Sequence, residues 1–275
     1  MNDDFHIHIN AKHLPISEHE VYLEEGLYGV CTSGTAVIEV FSVSYRIAQN
    51  DLINILPMQL VAIREKSDDF LITYFSVSKV MFIDIMSNIG KITLDFFFFM
   101  RKNFHYHLKE SEVRRFLGFC GIVDYRNNND DPRFRREIII CLLRVYYWGF
   151  YIYYYKKRDQ QRRIPRSRKE DIASRFAFLV AEHCKKHRKI SFYADQLCIS
   201  SIYLTKVIQE MYGQSPHIVI ADHIIIEIKS LLRNPSINIK EIVQQVNFTN
   251  QSSMSRFFRQ HTGMSPSQYR QTIFI

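Results

Sequence analysis

Two stretches of this chain repeat each other fifty positions apart, Tyr203–Pro216 (YLTKVIQEMYGQSP) and Ser253–Pro266 (SMSRFFRQHTGMSP). In both, a cation (Lys206, Arg256) stands two residues after an apolar residue (Leu204, Met254). An apolar pair follows (Val207 with Ile208, Phe257 with Phe258), and a Gly-x-Ser-Pro closes the stretch. Such a repeat demands a unit that folds the same way twice. In the first copy, Ser191 is placed as the N-cap of a short helix carrying Ala194 and Leu197 on one side. "CIS" breaks that helix, and Ser200 caps the next. There Leu204, Val207, Ile208 and Met211 fall at i, i+3, i+4 and i+7, and Gly213 ends the helix as its C′ residue. In the second copy Asn238 caps the short helix, with Ile242, Val243 and Val246 inward. Asn247 takes a left-handed turn position, and Asn250 caps a helix whose stripe is Met254, Phe257, Phe258 and His261, closed by Gly263. A short helix, a tight turn and a second helix make a helix-turn-helix, here over about 191–212 and 238–262.

The faces left outside carry Ser201, Ile202, Thr205, Lys206 and Gln209 in one copy, and Gln251, Ser252, Ser255, Arg256 and Arg259 in the other. They hold hydroxyls, amides, cations and an isoleucine, and no carboxylate. Such a face suits a DNA major groove: Lys or Arg donates to guanine, Gln pairs with adenine, and Ile or a Thr methyl meets a thymine methyl. Between the copies, Pro216 opens and Asn234-Pro235 closes a helix with Ile218, Ala221, Ile225, Ile228 and Leu232 on one face. At roughly 16 residues it is about 24 Å long. That length suits two recognition helices one DNA turn, roughly 34 Å, apart.

The rest of the chain fits a soluble partner of nucleic acid. Its 275 residues allow two domains, and the formal charge of +8 points to a polyanionic partner, nucleic acid or an acidic membrane surface. Cys31, Cys120, Cys141, Cys184 and Cys198 are odd in number, scattered and without a Cys-x-x-Cys, which fits a reducing cytoplasm. The N-terminus is acidic where a signal peptide needs positive charge. Ile138–Tyr155 is long enough to span a bilayer, but Arg144 interrupts it and tyrosines crowd its second half. A buried helix between domains or subunits is the preferred reading.

From Gly26 to about Val77 the pattern has period two, as where Val43, Tyr45 and Ile47 alternate with Ser42, Ser44 and Arg46. This gives a small β-barrel or sandwich. From about Lys79 helices take over, and Phe96–Phe99 are too many for one core, so some are expected to meet another domain or subunit. The run Lys156–Lys169, KKRDQQRRIPRSRK, is read as a basic linker. His6 and His8 share a strand face but lack a third ligand, so no metal is assigned. No phosphate loop, nucleophile elbow or carboxylate pair stands out, so no catalytic residue, cofactor or enzymatic activity is assigned either.

The text from about Ile172 to Arg270 resembles the two-motif DNA-binding domain of the AraC/XylS family of bacterial transcription regulators. The matching stretches are ISFYADQLCISSIYLTKVIQEMYGQSP and SINIKEIVQQVNFTNQSSMSRFFRQHTGMSPSQYR. By this resemblance the recognition positions fall on Ser201, Ile202, Thr205 and Lys206, and on Gln251, Ser252, Ser255 and Arg256. Cys198 and Asn247 stand where the family has Gly, and Ile208 where an aromatic is common. The resemblance implies a cupin-like effector and dimerisation domain over 1–155, its C-terminal part helical, then the linker 156–169 and the DNA-binding domain 170–275. It further implies an activator that binds double-stranded DNA and works with RNA polymerase, with room for a small-molecule effector and a homodimer. Two rivals remain: a membrane-tethered regulator using Ile138–Tyr155 as its span, and a metal-dependent cupin enzyme with a DNA-binding appendage.

Overall fold

The protein is described here by a computed structural model covering residues 4–40, 43–87, 89, 94–161 and 167–273. Along the chain run β1 (Phe5–Ala11), β2 (Val21–Tyr22), β3 (Gly26–Ser33), β4 (Thr35–Val40), β5 (Val43–Ala48), β6 (Asp51–Ile55), β7 (Leu60–Lys66) and β8 (Leu71–Val77). Then come α1 (Lys79–Met86), α2 (Leu94–Lys102), β9 (His105–His107), α3 (Glu110–Asn129) and α4 (Pro132–Gln161). The C-terminal part is helical: α5 (Arg168–His183), α6 (Ile190–Gln196), α7 (Ser201–Tyr212), α8 (Pro216–Leu232), α9 (Ile239–Gln245), α10 (Gln251–Thr262) and α11 (Pro266–Ile273). The chain divides into two compact units, 1–82 with 96–161, and 83–95 with 162–275. The division falls inside α1, whose second half belongs to the C-terminal unit.

In the N-terminal unit the strands pair antiparallel in two sheets, ordered β1-β8-β3-β6-β9 and β2-β7-β4-β5. Period-two burial is clearest in β4, where Ala36, Ile38 and Val40 are buried and the residues between them half exposed. These residues join Leu27 and Cys31 of β3, Ile53 and Ile55 of β6, and Ile72 and Tyr74 of β8 in one core drawn from both sheets. The β3–β4 connection turns on Gly34 at φ 68°, where a Cβ would fall 2.6 Å from the Phe70 nitrogen. Only glycine fits so close an approach at positive φ. The alternation expected around Val43 holds at Ile47, which is buried. Val43 itself is exposed because β5 is an edge strand, and Ser42 lies outside the described residues.

The helix positions bear on two expectations. Phe96, Phe97 and Phe99 are all buried within one unit: Phe96 packs on Tyr151 and Tyr154, Phe97 on Phe82, and Phe99 on Tyr153 and Tyr154. The side chain of Phe98 lies outside the description. Aromatic side chains from α4, with Phe82 of α1, supply the partners that local spacing does not show. The basic run 156–169 is also not one linker, because α4 continues through Gln161 and α5 begins at Arg168. Residues 162–166 lie outside the described residues. Ser167 caps α5, accepting from Glu170 N while the Glu170 side chain accepts from Ser167 N.

On α4, Ile139, Ile140, Leu143 and Tyr147 are buried, and the Tyr146 hydroxyl donates to Asn54 Oδ1 at 2.5 Å. Cys141, Val145, Trp148, Ile152 and Tyr155 form a second stripe, exposed, with spacings that alternate four and three. No helix of the described residues is long and apolar enough to cross a membrane. His6 and His8 are exposed on β1, and the His8 ring stacks on Tyr74.

In the C-terminal unit α8 lies against α5, α7, α9, α10 and α11. It is therefore buried round more of its circumference than one stripe. Val219, Ile220, His223 and Ile224 join Ile225, Ile228 and Leu232 inside, while Ile218 is left exposed. Lys229 is also buried, its Nζ 2.6 Å from Asp84 Oδ1, and the Tyr269 hydroxyl donates to the same oxygen at 2.8 Å. Removing one partner of a buried ion pair costs roughly 3–5 kcal/mol. Asp84→Ala is therefore expected to lower the thermal unfolding transition of this unit sharply. Asp84→Leu combined with Lys229→Met should recover most of the loss. Calorimetry of the two variants against the parent checks both.

Candidate nucleic-acid interface

The two copies of the repeat build the same turn. After α6, Cys198 adopts φ 54°, its N–H donates to Asp195 O at 3.0 Å, and the Ile199 N–H donates to Ala194 O at 3.0 Å. After α9, Asn247 adopts φ 52°, its N–H donates to Gln244 O at 3.1 Å, and the Phe248 N–H donates to Val243 O at 3.0 Å. This crossed pair of bonds is the Schellman helix ending, with an apolar residue just past the left-handed one. The second turn has one residue more before its next cap.

The following helices start alike. Ser200 Oγ accepts from Tyr203 N at 3.1 Å, and Asn250 Oδ1 accepts from Ser253 N at 2.8 Å. Each helix is 12 residues long, and each ends on a left-handed glycine, Gly213 at φ 67° and Gly263 at φ 79°. Their burial repeats fifty positions apart, with Leu204 and Ile208 matched by Met254 and Phe258, all fully buried.

Every candidate contact residue lies on these two helices. Ser201, Ile202, Lys206 and Gln209 are exposed on α7, and Gln251, Ser252, Arg256 and Arg259 on α10; Thr205 and Ser255 are half exposed at matching positions. The Thr205 hydroxyl donates to Ser201 O at 2.8 Å, which leaves its methyl as the group available outward. Ile202 is 85% exposed, an apolar side chain held in water. Lys206, Arg256 and Arg259 make no ion pair among the described residues. Glu210, beside Gln209, is a carboxylate at the edge of this face, and the Lys169 ammonium pairs with it.

Some expected details differ. Lys189 rather than Ser191 is the N-cap of α6, and it makes no side-chain cap bond. The helix entry is tied instead by the Tyr193 hydroxyl, which donates to His187 O at 2.5 Å. Met211 is only half buried, because Tyr212 takes the inward place. In the second stripe Phe257 is half buried and His261 exposed. These two join a surface stack in which Phe248 lies 5.4 Å from Phe257, and Phe257 lies 4.4 Å from His261.

The stack begins with a residue that sequence reasoning missed. The Arg188 guanidinium lies 3.7 Å over the Phe248 ring, and its Nη2 donates to Val246 O at 2.7 Å and Asn247 O at 3.2 Å. A cation on the carbonyls just past α9 also sits near the negative end of that helix. Arg188 precedes the first copy and holds the turn of the second, so the copies are joined directly as well as through α8. The signal was the basic run Cys184–Lys189, but its partner lies about sixty residues away.

Residues 193–272 match the family model described as a helix-turn-helix domain. No curated protein matches the chain. Among solved structures, it is similar to an apo lysine-to-alanine variant of ToxT from Vibrio cholerae, at 14% identity over 99% of this chain and 98% of that one, with a TM-score of 0.39. ToxT with a bound unsaturated fatty acid is 17% identical over 98% and 95%, with a TM-score of 0.38. The C-terminal domain of AraT, a response regulator from Geobacillus stearothermophilus, is 27% identical over 38% of this chain and 88% of that one, with a TM-score of 0.36.

The turns make one energetic prediction. The left-handed region costs a non-glycine residue roughly 1–2 kcal/mol, while Asn tolerates it. Glycine returns roughly 0.5–1 kcal/mol through unfolded-chain entropy. Cys198→Gly is therefore expected to stabilise the first copy by up to about 1.5 kcal/mol, and Asn247→Gly to change the second little. Hydrogen exchange of the α7 and α10 amides, slowed in the first variant alone, is the readout.

Proposed function

Because residues 193–272 are a helix-turn-helix domain of the AraC/XylS type, we propose that this protein is a sequence-specific transcription regulator that sets α7 and α10 into successive major grooves of double-stranded DNA. One observation carries the reading. Two helices, capped and buried alike fifty positions apart, each present a face of short polar, amide and cationic side chains, and the nearby carboxylate Glu210 is already neutralised. The contacts are then Ser201, Ile202, Thr205, Lys206 and Gln209 in one groove, and Gln251, Ser252, Ser255, Arg256 and Arg259 in the next. The first face offers Ile202 and the Thr205 methyl, suited to thymine methyls. The second offers Gln251, Arg256 and Arg259, suited to purine edges. The two half-sites therefore differ in sequence, and the operator is asymmetric.

Within this reading the protein works in the cytoplasm as an activator that meets RNA polymerase, and its N-terminal unit regulates it. What supports regulation by self-association is the exposed stripe Cys141, Val145, Trp148, Ile152 and Tyr155 on α4. Its alternating four-three spacing is the seam of a coiled coil. A second copy of α4 would cover it in a two-fold dimer. No enzymatic role is assigned.

Selection of binding sites from a random duplex pool should return one asymmetric sequence. On it, Arg256→Ala and Lys206→Ala should each weaken binding by roughly 1–3 kcal/mol with little effect on unrelated duplex. Variants that bind the selected site as the parent does would remove these faces from the interface. Sedimentation tests the second part: a dimer is expected for the parent and a monomer for Val145→Glu with Ile152→Glu. A monomeric parent would refute the α4 seam.

A further inference from the structure

The loop from Lys185 to Lys189 joins α5 to α6, and with Cys184 it reads CKKHRK. Two of its cations are committed to structure. Lys185 Nζ pairs with Glu227 Oε2 at 2.6 Å, and Arg188 is held over Phe248 and on the Val246 and Asn247 carbonyls. The other two, Lys186 and Lys189, are exposed and make no ion pair among the described residues. Both line an open cleft of about 520 Å³ together with His187, Ser191 and Asn247. Asp195 also lines it and is its one acidic residue. The His187 ring is stacked on Phe192 at 3.8 Å between centroids, which stiffens the loop between the two lysines.

Position decides what such a cleft meets. Arg188 fastens the loop to the turn of the second copy, so the loop borders the start of the first helix-turn-helix and the turn of the second. Between successive major grooves on one face of a duplex lies a minor groove bordered by two phosphate strands. Duplex DNA carries about one charge per 1.7 Å of axis there. Lysine supplies a compact charge without the planar fork that reads a base edge, and contacts to phosphate set register without carrying sequence.

We propose that Lys186 and Lys189 form a phosphate seat that grips the DNA backbone between the two major grooves and supplies sequence-independent affinity. The proposal rests on the reading that α7 and α10 enter those grooves. It assigns the cleft a role distinct from theirs: the helices choose the site, and the loop holds whatever duplex is present. Because Arg188 couples the loop to the second copy, phosphate contact also fixes the spacing at which the two helices are presented.

The test is a salt series. Fluorescence anisotropy with a labelled mixed-sequence duplex gives the slope of log affinity against log salt concentration for the full-length protein. Each phosphate contact adds about 0.9 to that slope, so Lys186→Ala with Lys189→Ala should reduce it by about 1.8. The same pair should weaken the selected operator and the mixed duplex by the same factor. Lys186→Arg with Lys189→Arg should keep the parent slope, which separates lost charge from misfolding. An alanine pair with the parent's slope overturns the seat while leaving the grooves' assignment standing. A parent that binds no duplex at low salt overturns both.

Discussion

Lys229 and Asp84 meet at 2.6 Å with almost no solvent access to either. Two charges taken out of water cost several kcal/mol each, and their attraction returns this only when geometry and further hydrogen bonds are good. Here the Tyr269 hydroxyl donates to the carboxylate, and the Tyr269 ring lies 5.0 Å from the ammonium. An apolar pair of the same volume would stabilise about as well. The ionic pair differs from it in direction: one rotation of α8 about its axis puts Lys229 against Asp84. Since α8 is packed by α5, α7, α9, α10 and α11, its rotation and register set the frame on which both copies of the repeat are carried.

Within that frame each copy is specified locally, and the local signals agree with one another. A capping side chain opens each second helix, and a left-handed residue between two crossed backbone bonds ends each first one. A glycine at positive φ ends each second helix. The same backbone device then carries different outer side chains. Ile202 and the back-bonded Thr205 on α7 are answered by Ser252 and Ser255 at the equivalent places on α10, and Ser201 and Gln209 by Gln251 and Arg259. Duplication preserves the scaffold while the two faces diverge in chemistry, which is how one chain gains a long, asymmetric recognition surface.

What was legible in the sequence follows from the range of each interaction. Ser200, Asn238 and Asn250 act within three residues of themselves, and they cap as expected. Asn247 needs only its own backbone to show its conformation. Helical spacing alone places Phe257 and His261 in the core. They are drawn to the surface by Phe248 and Arg188, which lie outside the helix. A single buried face would place Ile218 in the α8 stripe, whereas neighbours on several sides bury Val219, Ile220, His223 and Ile224 instead. Ser191 lost the cap to Lys189 because a tyrosine two residues on ties the entry. The pair joining Asp84 to Lys229 spans 145 positions, and no local pattern announces a partner so distant.

The positive charge divides along the same line. In the C-terminal unit Lys169, Lys185 and Lys229 answer Glu210, Glu227 and Asp84, while Arg188 and Arg270 are spent on backbone carbonyls. Those cations neutralise or orient, and they add little to the field a polyanion meets at a distance. Lys186, Lys189, Lys206, Arg256 and Arg259 have no such counterpart among the described residues. They stand on α7, on α10 and on the loop that Arg188 ties to the second copy. Exposed charges farther apart than the Debye length, about 8 Å at physiological salt, act on a ligand nearly independently. Their distribution then matters more than the total. A net charge of +8 spread evenly would make a merely basic protein, whereas cations left unpaired along one duplicated surface give that surface a direction.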